Sequence, residues 1–210
     1  MPRSYAILID AGFLKRKLGS QQSPLTVAQV EAFIQQIQTH PALHGMVLHR
    51  IYYYDAPPLA SRVNKPLNGG QVDFSLTPLA RANQALNAAL VRLPFFALRQ
   101  GELSFRGWRV RGAALPAQQP EVMIKADDLL PDIQQKGVDM RIGLDIASLT
   151  LKRQAQVIVL VTGDSDFVPA MKFARREGAQ LFLVTMGHNT KEALVDHADL
   201  LLEWPPAHHP

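Results

Sequence analysis

The chain has 210 residues, 47% of them hydrophobic and 19% charged, with a net charge of +4 and no cysteine. That length suits one domain, or one domain with a sizeable insertion, and the apolar fraction supports a real core and argues against disorder. Disulfides, thiolate zinc sites and cysteine nucleophiles are excluded, no apolar run is long enough to span a membrane, and the N-terminus lacks a signal-peptide layout, so the expected compartment is the cytoplasm.

Residues 5–9 form a short apolar run of strand type that ends at Asp10, which is placed to cap a helix over 12–18. Val27, Val30, Phe33, Ile34 and Ile37 recur at helical spacing, predicting a helix over 26–38 with Thr26 as N-cap. A strand over 46–54 follows, then a long polar loop over 55–76 of the kind that serves as a lid or binding segment. The helix predicted over 77–93 carries Pro78 in its first turn and turns Leu79, Leu86, Leu90 and Leu93 inward. Strands around turns are expected at 95–99, 101–107 and 108–111, whereas 113–134, with Pro116, Pro120 and Pro131, shows no regular pattern.

In the last third, helices at 138–152 and 166–177 alternate with strands at 156–161 and 180–185, and Gly178 stops the second helix. Asn189 with Glu192 resembles a capping box for a last helix reaching residue 202, and a frayed tail begins at Trp204. Alternating strands and helices predict an α/β fold with a mainly parallel sheet covered on both faces. We therefore expect one domain over 1–204 with a loop and hairpin insertion around 55–135, and a flexible tail at 205–210.

Asp10 and the segment Thr162-Gly163-Asp164-Ser165-Asp166 directly follow apolar strands. In an open α/β sheet both then lie at the carboxyl ends of parallel strands, where ligand crevices form. Converging carboxylates repel one another, and a hard divalent cation such as Mg²⁺ or Mn²⁺ relieves that repulsion. Each acid also has a structural alternative: Asp10 and Asp166 as helix caps, Asp164 as a turn residue. Asp139 opens the helix before the 156–161 strand and reaches the same edge if that helix runs antiparallel to the strand. Asp145 falls about 240° further round, as a supporting or surface group. No Walker A, His-Glu-x-x-His or Gly-x-Ser-x-Gly pattern is present.

Ile9-Asp10-Ala-Gly-Phe13, Tyr53-Tyr-Asp55, Lys136-Gly-Val-Asp139 with Leu144-Asp145, and Thr162-Gly-Asp-Ser-Asp-Phe167 together resemble the NYN domain in its LabA-like branch, a division of the PIN-like nuclease superfamily. Where many members carry Asn a few residues after the first Asp, this chain has Phe13 and Leu14. The resemblance implies a Rossmann-like α/β/α sandwich and Mg²⁺- or Mn²⁺-dependent cleavage of RNA. Asp10, Asp139, Asp164 and Asp166 would be its metal ligands and catalytic groups. The alternative is a non-catalytic RNA-binding or regulatory module on the same fold.

For RNA contact, Arg99, Arg106, Arg109 and Arg111 around Phe105 and Trp108 form a candidate phosphate-and-stacking surface, although aromatic residues in hairpins are more often core. Lys125, Lys136 and Arg141 flank the acids, and Arg62, Lys65 and Arg81 form another basic group. His188 is expected at the surface. The expected partners are RNA and a second copy of the chain, with no membrane.

Overall fold

The computed structural model describes residues 2–20 and 22–204. Its first half runs β1 (Ser4–Asp10), α1 (Ala11–Leu18), α2 (Val27–Gln38), β2 (Val47–Asp55), β3 (Arg62–Asn64), β4 (Gln71–Asp73) and α3 (Pro78–Leu90). The second half runs β5 (Phe96–Gln100), β6 (Glu102–Val110), β7 (Leu129–Lys136), α4 (Val138–Leu151), β8 (Val157–Val161), α5 (Val168–Arg176), β9 (Gln180–Val184), α6 (Glu192–Asp196) and β10 (Leu200–Leu201).

Six strands pair in parallel in the order β10-β9-β8-β1-β2-β5. Both faces of the central strands are buried, which is why 5–9 and 157–161 read as continuous apolar runs. Ile7 and Ile9 point into one layer with Leu14, Phe33 and Leu90, while Ala6 and Leu8 point into the other with Ile142, Met171 and Leu194. Helices thus cover each face, giving the expected α/β/α sandwich. Each fully buried Ile or Leu contributes roughly 1.5–3 kcal/mol to holding the layers together.

Local chemistry sets the element ends. The Thr26 hydroxyl accepts from Gln29 N–H at 3.3 Å while the Gln29 side chain accepts from Thr26 N–H at 2.9 Å, a reciprocal cap. Leu79 departs from expectation: it is exposed, and the first turn of α3 sends the small Ala80 inward instead.

Outside the sheet, the loop at 55–76 contains the β3–β4 hairpin. Residues 101–111, expected as two strands, form one strand with a bulge between Phe105 and Gly107, paired antiparallel with β7. β7 was hidden in the sequence by Pro131, which a two-stranded ribbon tolerates because a strand with one neighbour leaves half its N–H groups unpaired. At the base of the ribbon, a Cβ on Gly101 would stand 2.5 Å from the Lys136 carbonyl, so only glycine allows the two chains to cross there.

The C-terminal end also differs from expectation. The last helix stops at Asp196 and has no side-chain cap, so the Asn189–Glu192 box does not form. Asp199 draws the chain onto the sheet edge: its carboxylate accepts from Leu181 N–H at 2.7 Å and pairs with Arg175 at 3.0 Å, and β10 follows. Trp204, expected in a frayed tail, packs edge-on against Phe33 at 4.6 Å. The tail expected at 205–210 lies outside the described residues.

Candidate active site

From β1 the chain moves outward to β2 and β5, then returns to β8 on the other side of β1 and continues to β9 and β10. The direction reverses between β1 and β8, and at such a switch point the flanking loops part and leave a crevice beyond the strand ends. Asp10 ends β1 at that crevice, and Thr162-Gly163-Asp164 leaves β8 beside it.

Asp10 is 8% exposed. One carboxylate oxygen accepts from Phe13 N–H at 3.1 Å, capping α1, and the other faces the Thr162 hydroxyl at 3.4 Å. That hydroxyl accepts from Asp164 N–H at 3.1 Å, and the Asp164 carboxylate accepts from Asp166 N–H at 2.9 Å. A chain of polar contacts thus ties the two loops together through the fully buried Thr162, a residue that stood in the sequence motif without a role of its own. Its one signal was a lone hydroxyl at the end of an apolar strand. The expected cap role of Asp166 belongs instead to Asp164, which caps the short turn Ser165–Phe167 that leads into α5.

Asp139 stands in the first turn of α4, as expected. Burial raises its carboxyl above the ordinary range, and the charges of Asp164 and Asp166 raise it further. Burial likewise raises Asp10, with Asp139 adding to it, while Phe13 N–H and Arg16 pull the other way. Asp139 thus links the group: it is raised by Asp164 and Asp166, and it raises Asp10 in turn. None of the four carboxylates is held in an ion pair among the described residues.

This donor set fits a hard divalent cation by its chemistry: carboxylate oxygens that repel one another and are in no ion pair among the described residues, with Arg16 acting on Asp10 from further off. Among the described residues, however, no three His, Asp or Glu side chains are gathered closely enough to hold an ion as they stand. An ion would have to draw them together. Because Asp10 and Asp139 ionise above the ordinary range, their neutral forms favour the folded state at low pH, and that contribution is lost as pH rises through the folded values. Mg²⁺ or Mn²⁺ is therefore expected to raise the melting temperature more at about pH 7.5 than at about pH 4. Equal shifts at both pH values in a thermal-melt series would exclude binding at these acids.

Two partly buried polar groups support the edge. Asp55, 4% exposed at the end of β2, pairs with Lys15 Nζ at 2.6 Å. On the opposite face Asp145 accepts from the Tyr54 hydroxyl at 2.9 Å and from Arg99 Nε at 3.0 Å, fixing α4 to β2 and β5. Burial, then the Asp145 charge, holds the Tyr54 phenol far above its ordinary value.

The residues expected to touch RNA lie in several places. Arg99 is engaged with Asp145 and stacked over Tyr52 at 5.2 Å. Arg106 donates to the Gln134 side chain, and Trp108 donates to the Asn64 carbonyl and packs against Phe105, which meets Phe74. These aromatics join the ribbon to the β3–β4 hairpin. Lys65 stands over the Trp108 ring, and Arg62 pairs with Asp73. Lys136 and Arg141 bracket the start of α4 beside Asp139, and Arg109 is exposed on β6.

A cleft of about 600 Å³ opens next to Asp164 and Asp166, between α1 and the segment before α6. Its wall is the Phe13–His188 pair, edge-to-face at 5.7 Å, so His188 belongs to this site. A Cβ on Gly163 would lie 2.5 Å from His188 Cδ2 and 2.8 Å from the Phe13 ring. Phe13 is buried and cannot move freely. Gly163→Ala is expected to cost about 1–3 kcal/mol through overpacking and to displace His188. A urea-unfolding midpoint equal to that of the wild type would contradict this.

The family model of the NYN domain matches residues 4–203. The chain belongs to the NYN-domain family, within the PIN-like nuclease superfamily, whose members are nucleases that generally use divalent metals. No curated protein matches the chain. Among solved structures, it is similar to a protein of unknown function from Vibrio parahaemolyticus, at 16% identity and a TM-score of 0.49, over 95% of this chain and 91% of that one. Among the described residues no helix is long and apolar enough to cross a membrane.

Proposed function

We propose that this protein is a Mg²⁺- or Mn²⁺-dependent endoribonuclease of the LabA-like branch, acting on RNA in the cytoplasm. The observation that carries the reading is the placing of Asp10, Asp139, Asp164 and Asp166 at the switch point of an NYN fold, where Asp164 and Asp166 act on Asp139 and Asp139 acts on Asp10. Asp10, Asp139 and Asp164 would hold the ion, with Asp166 at its margin. When bound, a divalent cation neutralises phosphoryl charge and activates water for attack on phosphorus. The protein's own groups do the positioning. Phe13 N–H and Thr162 fix the Asp10 carboxylate, and the Thr162 hydroxyl sets the turn that carries Asp164. The reading also includes a homodimer, for which exposed Met140, Leu144 and Leu151 on one stripe of α4 supply an apolar seam.

The test is cleavage of a mixed RNA pool with Mn²⁺ or Mg²⁺, compared with Asp164→Asn. Cleavage by the wild type alone is expected, and equal cleavage by both proteins would identify a contaminant. A second reading, a non-catalytic RNA-binding module, is favoured by the absence of a ready three-ligand group among the described residues. It predicts salt-dependent RNA binding with no product and no bound metal.

A further inference from the structure

We infer that the cleft beside Asp164 is the binding groove for single-stranded RNA, with Arg16, Lys17 and Lys191 contacting its phosphates and the exposed His188 ring, backed by buried Phe13, stacking a base. The inference rests on the nuclease reading only for the identity of the ligand. Arg16 and Lys17 come from the last turn of α1, and Lys191 precedes α6 from the far end of the sequence. The fold brings these cations to one opening.

Three observations separate this cleft from the other basic surfaces. Among the described residues Arg16, Lys17 and Lys191 form no ion pair within 4 Å, whereas Lys15, Arg62, Lys65 and Arg99 are each paired with an Asp. Free cations lining a concavity are available to an external anion. Over residues 102–136 the ribbon and its connecting loop carry five acids and five bases, a net charge of zero, whereas the cleft wall sets Arg16, Lys17 and Lys191 against Asp164 and Asp166. Lastly, the cleft is continuous with the acids: Asp164 and Asp166 form part of its wall, and Arg16 acts on the Asp10 carboxylate.

The shape selects the strand. Duplex RNA is recognised mostly by shape across its wide, shallow minor groove, while this cleft is a local concavity of about 600 Å³. An exposed His188 backed by Phe13, with Lys17 Nζ 5.8 Å from the Phe13 ring centre, suits an unstacked base beside its phosphate. Ser165 and Asn189 on the same walls can hydrogen-bond a base edge or ribose.

The experiment measures binding of a fluorescein-labelled single-stranded RNA in EDTA, with the RNA confirmed intact on a gel, against a salt series. Arg16→Ala/Lys191→Ala is expected to weaken binding at least about tenfold and to flatten the slope of log affinity against log salt by roughly 1.4, about 0.7 for each phosphate left without its cation. Arg106→Ala/Arg109→Ala should leave both quantities unchanged, and unlabelled duplex of the same sequence should compete poorly. All four side chains are exposed, so both variants should fold, the cleft variant with only a small fall in melting temperature from the loss of Arg16 beside the Asp10 carboxylate. An unchanged affinity in the cleft variant, or a loss confined to the ribbon variant, overturns the assignment. Equal competition by duplex overturns the single-strand part. If the wild type binds through the cleft in EDTA but cuts nothing with Mn²⁺, the groove stands and the nuclease reading fails. If it cuts with Mn²⁺ while the cleft variant binds normally, the groove alone fails.

Discussion

Replacing Asp139 with Asn is expected to lower RNA cleavage by about 10²–10³-fold, the scale seen when one electrostatic group is removed from a catalytic site, while making the metal-free protein more stable. The two effects share one cause. Asp139 raises the Asp10 carboxyl, and its own carboxyl is raised by Asp164 and Asp166. Removing its charge relieves all three repulsions, each screened by water and worth well under about 1 kcal/mol. The gain should show as a higher melting temperature in EDTA that shrinks or reverses with Mn²⁺. A purely structural Asp139, serving only as a favourable charge at the start of α4, predicts the opposite: a small loss of stability and unaltered cleavage.

The largest stability effect is expected at Lys15. Its ammonium is the ion-pair partner of Asp55, which is 4% exposed and lies at the same sheet edge as Asp10. Lys15→Met keeps the aliphatic stem but leaves a buried carboxylate without its cation. Breaking a fully enclosed pair costs about 3–5 kcal/mol. Lys15 is 22% open to solvent, so about 2–3 kcal/mol is expected after screening. Lys15→Met/Asp55→Asn should recover most of that loss, because the orphaned charge is gone. Urea unfolding of the two variants checks this, and a double variant no more stable than the single one would show that the stem's packing, not the charge, is what matters.

The sheet was legible because its central strands are buried on both faces and so appear as unbroken apolar runs; Thr26 likewise announced its helix. What escaped depended on contacts distant in sequence. The ribbon's return strand contains Pro131 and becomes regular only opposite Trp108. The short β10 exists because Asp199 grips the β9 edge. At the site, Asp10 and Asp164 could be read from their places after strands, and Asp139 from the direction of its helix. The Thr162 bridge and the convergence of Arg16 with Lys191 could not, since nothing in either segment refers to the other. Arg99 shows the reverse error. Its charge made it a candidate for RNA, yet in the fold it is engaged by Asp145.

The central claim is that these acids hold a divalent cation in an NYN fold. Anomalous diffraction from crystals soaked in Mn²⁺ tests it most directly. The account predicts a peak within bonding reach of Asp10, Asp139 and Asp164, with the three carboxylates drawn together around it. Its loss in crystals of Asp164→Asn is also expected. No peak at saturating Mn²⁺, or a peak held elsewhere on the protein, would contradict the account.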